Sequence, residues 1–89
     1  MLKIRLSKSG GIDVKNPAVV YDRVTYEILR IGELDFITDQ FIKLKDKYKG
    51  MSQYQDITMA ELPLSQDILD RIMEDEKYLE VLFPNNIIQ

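Results

Sequence analysis

The chain has 89 residues with a formal net charge of −3, no cysteine, no histidine and no tryptophan. One small domain spanning 1–89 follows from that length. The missing residue types exclude disulfides, thiolate metal sites, cysteine nucleophiles and the commonest general base and transition-metal ligand. Apolar and charged fractions of 45% and 30% are those of a folded globular domain rather than a disordered chain.

LKIRL, near the start, alternates Leu2, Ile4 and Leu6 with Lys3 and Arg5, the period of a half-buried strand. Gly10-Gly11 supplies a turn, and Ile12 and Val14 of IDVK share a face. Residues 2–15 are therefore expected to form a β-hairpin whose apolar face lies on helices, because two strands alone are marginal in water. No apolar run follows the first charges, so the segment does not read as a signal peptide.

NPAVVYDRVTYEILRIG follows. Asn16 suits a cap, Pro17 the first helical position and Gly32 a left-handed stop. Val20, Tyr21, Val24, Ile28 and Ile31 fall on one helical face. The β-branched and tyrosine content favours a strand instead, but neither alternate set is consistently apolar, and a helix over 17–31 is expected. Val19, Tyr26 and Leu29 cluster on its far side as a surplus apolar patch of the kind that meets a partner.

Residues 33–49 carry the strongest periodicity. Leu34, Ile37, Phe41, Leu44 and Tyr48 recur at alternating spacings of three and four, and Gly50 follows as a stop. Lys43, Lys45, Lys47 and Lys49 then scatter to two sides of the apolar stripe, with Lys45 and Lys49 flanking it. Over 54–58, YQDIT reads as a third short strand and the overlapping TMAEL as a turn of helix, ended by Pro63. Ser65 caps a third helix, residues 66–83, with Asp67 in its first turn and Pro84 as its stop. Glu76 falls inside the apolar face of that helix, where a carboxylate requires a partner, a solvent edge or a bend. The expected fold is α+β: an N-terminal β-hairpin packed on about three helices, with a third short strand.

Charge is unevenly distributed. Residues 1–31 hold six basic and three acidic residues, 32–50 four of each, and 51–89 two basic and eight acidic. Asp67, Asp70 and Glu74 share one helical face. Such a one-helix stripe lacks the convergence from several elements that catalytic carboxylates need. The serines have no histidine to activate them, and no glycine-rich phosphate cradle is present. A helix-turn-helix over 17–31 and 33–49 would present Glu33, Asp35 and Asp39 to the phosphates and repel them, so nucleic acid is not the expected partner.

These exclusions leave a small, non-enzymatic protein–protein interaction module. An adaptor, assembly factor or inhibitor such as a phage or other mobile element encodes fits the size and composition. It would bind another protein or itself through Val19, Tyr26 and Leu29, or through Asp67, Asp70 and Glu74, with no metal or cofactor. Met51, Met59 and Met73 with Tyr48, Tyr54 and Tyr78 offer adaptable contact material. The alternative is a nucleic-acid-associated regulator using the basic N-terminal third, Lys3, Arg5, Lys8 and Lys15. No stretch is long and apolar enough to span a bilayer, and the default expectation is a cytoplasmic protein.

Overall fold

The computed structural model describes residues 14–84. Three antiparallel strands, β1 (Pro17–Asp22), β2 (Ile28–Glu33) and β3 (Ile57–Glu61), form a sheet in the order β2-β1-β3. Helix α1 (Leu34–Lys47) packs on one face. Helix α2 (Gln66–Glu74), a 3-10 turn (Glu76–Tyr78) and the short α3 (Leu79–Leu82) pack on the other. The α+β architecture with a hairpin, a third strand and three helices is as expected. The hairpin among the described residues, however, is built from 17–33. The one expected over 2–15 lies outside the described residues, apart from its last two.

The helix expected over 17–31 is thus two strands and a turn. The reason is burial on both sides of β1. Ala18 and Val20 face α1, against Ile37 and Leu44, while Val19 and Tyr21 face Leu69, Ile72 and Leu79. A central strand covered on both faces reads as a continuous apolar run and shows no alternation. Pro17 occupies the first strand position, where a missing N–H is tolerated. Gly32 is no helix stop; it lies within β2 and pairs with Ala18 of the hairpin ladder.

The turn between β1 and β2 carries no glycine. The Asp22 carboxylate accepts from the N–H groups of Val24 at 2.8 Å and Thr25 at 3.2 Å, and the Asp22 carbonyl accepts from Tyr26 N–H. This is an aspartate-closed turn, and it drives Tyr26 to a φ of 65°. A bulge follows: Val20 pairs with Arg30 and Tyr21 with Ile28, leaving Leu29 as the extra residue. Leu29 packs in the α1-side core, and the neighbouring Arg30 side chain also turns that way, donating to Gln40 at 3.1 Å.

Helix α1 follows its expected stripe. Ile37 and Leu44 are buried, Leu34, Phe41 and Tyr48 pack around them, and Gly50 closes the segment at a φ of 86°. β3 begins three residues later than expected, at Ile57, because Ser52–Gln55 forms a 3-10 turn. The helix expected over 66–83 breaks after Glu74. Asp75 is extended, and its carboxylate accepts from Lys77 N–H at 3.1 Å, capping the turn that restarts the chain. The break moves Glu76 off the apolar face and leaves Leu79 fully buried. Ile37 on one side and Leu69, Ile72 and Leu79 on the other are essentially inaccessible. Each such side chain contributes about 1.5–3 kcal/mol of burial.

A candidate docking groove beside the second strand

The interrupted helix shapes the most distinctive surface of the molecule. Ser65 starts α2 by accepting from Ile68 N–H at 3.4 Å, and Leu69 and Ile72 anchor the helix on the sheet. Where the helix ends, Glu74, Asp75 and Glu76 are set down beside the outer edge of β2. The Glu76 carboxylate accepts from the backbone N–H of Ile28 at 2.8 Å. Between this corner and the strand runs an open groove of about 390 Å³. Ile28, Ile31, Ile72 and Met73 supply its apolar lining, and Glu74, Asp75 and Glu76 its acidic rim. Ile28, Ile31 and Met73 are only half-buried, so the apolar lining is within reach of a ligand.

At the far end of β2, the Glu33 carboxylate accepts from the N–H groups of Lys15 at 2.8 Å and of Asn16. The hydrogen bond from Lys15 chiefly, aided by Asn16, holds this carboxyl below the usual glutamate range. It ties the chain entering the sheet to the end of the edge strand.

The residues proposed from the sequence are dispersed. Val19 is fully buried and Tyr26 nearly so, both in the core on the α2 side of the sheet. Leu29 is half-buried on the opposite face, under α1. They form no common exposed patch, because the helical arc that grouped them does not exist. Asp67 is exposed and pairs with Arg71 at 3.2 Å, and Asp70 accepts from Gln66 at 3.0 Å. Glu74 alone of the six lines the groove. Met73 is one of the methionines expected to make contacts, and Ile28, Ile31, Ile72, Asp75 and Glu76 are not among the expected site residues. The signal in the sequence that points here is Glu76 standing in an apolar stripe.

A second hollow, of about 410 Å³, lies between the end of α1 and the 3-10 turn before β3. Phe41, Ile42, Lys45, Asp46, Lys49 and Tyr54 line it. Lys45 fills part of it: its ammonium lies 3.8 Å from the centre of the Tyr54 ring and donates to the backbone carbonyls of Tyr54 and Ile57. Of the Met and Tyr residues expected to make contacts, Met51 and Tyr54 are exposed and Met73 lines the groove beside β2, whereas Met59, Tyr48 and Tyr78 pack against the cores.

Among the described residues no cluster of three or more His, Cys, Asp or Glu side chains is arranged to hold a metal ion, and no helix is long and apolar enough to cross a membrane. No family model, curated protein or solved structure matches the chain.

Proposed function

We propose that the protein is a small non-enzymatic interaction module that takes an apolar, positively charged segment of another protein into the groove beside β2. A cytoplasmic adaptor, assembly factor or inhibitor, as a phage or other mobile element encodes, is the role that suits it. The single observation that carries this reading is the pairing of a half-exposed apolar floor, Ile28, Ile31 and Met73, with the unbroken acidic rim Glu74-Asp75-Glu76. Apolar contacts of this kind supply affinity, and rim charges steer encounter and select the sign of the partner. The non-enzymatic part rests on the sequence, which lacks histidine and cysteine to activate a nucleophile or take protons near neutrality. Of the basic residues behind a nucleic-acid reading, Lys3, Arg5 and Lys8 lie outside the described residues.

Fluorescence anisotropy tests the proposal. The probes are two labelled peptides of nine residues, one alternating leucine with arginine and one alternating leucine with glutamate. The arginine peptide binds and the glutamate peptide does not. Binding weakens as salt rises, because exposed charges are screened. The double variant Glu74→Arg, Asp75→Arg weakens binding at least tenfold. Equal binding of the arginine peptide to this variant, or equal binding of both peptides to the native protein, overturns the groove as the site.

A further inference from the structure

We infer that the bound segment docks as a fourth β-strand along the outer edge of β2, which no strand among the described residues occupies; the inference rests on the groove reading just given. The hydrogen-bond parity of the sheet carries it. The Pro17 carbonyl accepts from Leu62 N–H and Arg23 N–H donates to the Asp56 carbonyl, so the odd-numbered residues of β1 bond towards β3. Ala18 and Val20 therefore bond towards β2, opposite Gly32 and Arg30. The bond from Leu34 N–H to the Asn16 carbonyl continues the same parity at the end of the pair. It follows that the N–H and carbonyl of Ile31, between Arg30 and Gly32, point away from β1 along the open edge.

The Ile28 N–H points outward too, and it donates to the carboxylate of Glu76, brought from 48 residues away. Among the described residues the edge is thus not sealed by a strand or a proline. It is capped at one donor by a side chain, which a main-chain carbonyl replaces without leaving Ile28 unpaired. Glu76, once released, joins Glu74 and Asp75 as a free rim charge for a basic side chain. The flank on the other face of the sheet is ready as well. Phe36 is 55% exposed, and its ring lies 3.8 Å from where a Cβ on Gly32 would sit. An added strand directs alternate side chains to the two faces. One set meets Ile31 and the acidic rim, and the other meets Phe36. Strand addition of this type draws affinity from the main chain and selectivity from the alternate side chains.

The test uses the full chain and the leucine–arginine peptide, with N-methyl groups placed on alternate peptide nitrogens in two complementary sets. One set blocks the N–H groups that face β2 and costs at least tenfold in affinity; the other stays within about twofold of the parent. Amide hydrogen exchange by NMR reads the protein side: Ile31 N–H exchanges freely in the unbound protein and becomes protected at least tenfold in the complex. Equal effects of the two methylated sets, or an unprotected Ile31 in a saturated complex, overturn strand addition while leaving the groove as the binding site. Failure of the parent peptide to bind, or its indifference to Glu74→Arg with Asp75→Arg, instead removes the groove reading itself. A protein that sediments as a dimer and releases monomer on adding the peptide overturns the inference in another way, by making a second copy the occupant.

Discussion

The hydroxyl of Tyr26 donates to the backbone carbonyl of Phe83 at 3.1 Å, joining the hairpin turn to the end of α3. The Tyr26 ring also stacks on Tyr21 with centroids 6.0 Å apart, and Tyr21 stacks on Phe83 at 5.9 Å. Tyr26 reaches this position only by adopting a positive φ, which costs an ordinary residue about 1–2 kcal/mol. Burial and the hydrogen bond offset that cost. Tyr26→Phe is expected to lose about 1 kcal/mol, a fall of about 5 °C in thermal midpoint for a domain of this size. Tyr26→Ser removes the ring as well and is expected to lose about 3–5 kcal/mol. Thermal unfolding followed by circular dichroism checks both. A midpoint unmoved by Tyr26→Ser would return Tyr26 to the surface.

Lys45 guards the outer edge of β3. Its ammonium takes the Ile57 carbonyl, which the sheet parity turns outward, and rests on Tyr54. Lysines beside an edge strand discourage pairing with other chains. Lys45→Ala is expected to lower stability by only about 0.5–1 kcal/mol, the worth of an exposed cation–π contact. It is expected to raise self-association clearly, and sedimentation velocity over a concentration series measures that. A variant as monomeric as the parent would remove the guarding role.

Glu33 makes stability depend on acid. Its folded pKa lies below the ordinary glutamate value, so the folded chain favours the ionised form. Its contribution is complete above the unfolded value, near pH 4.3, and is lost as pH falls through the depressed folded value. Glu33→Gln is expected to be less stable than the parent at about pH 6, with the gap closing as the pH falls through the depressed folded value. Urea unfolding at several pH values measures the gap. A gap that stays constant would show that its charge is not what matters.

Gly50 ends the α1 segment at a φ of 86°, and a Cβ built there meets nothing within 4 Å. The penalty for a side chain is therefore conformational and not steric. Gly50→Ala is expected to lose about 1 kcal/mol, and Gly50→Asn less, because asparagine visits the left-handed region more readily. Equal midpoints for all three proteins in urea would show that the turn relaxes to a different geometry.

Where a segment meets one neighbour and water, its period was plain in the sequence. The stripe Leu34, Ile37, Phe41, Leu44 and Tyr48 predicts α1 because only one side of that helix is covered. β1 is covered on both sides, so PAVVY carries no period, and the spacing of Val20, Tyr21 and Val24 imitates a helix. The turn after it escaped notice because Asp22 closes it with its own side chain, without the usual Asn-Gly or Gly-Gly. The groove was half visible. Glu76 in an apolar stripe marked a conflict, yet its resolution depends on Ile28, 48 residues away, and no local pattern records that distance.

The central place of β1 has a consequence for the order in which the protein takes shape as it leaves the ribosome. The hairpin and α1 emerge together, and α1 can settle at once on Ala18 and Val20. The other side of the same strands, Val19, Tyr21, Ile28 and Ile31, has no cover until Leu62, Leu69, Ile72 and Leu79 have been made. Through that interval the described part of the nascent chain shows an oily sheet face, the kind of surface that invites holdase chaperones and misassembly. Helices α2 and α3 therefore complete the cover of this face, and truncations within them are expected to divert the chain to aggregation rather than to a smaller folded core.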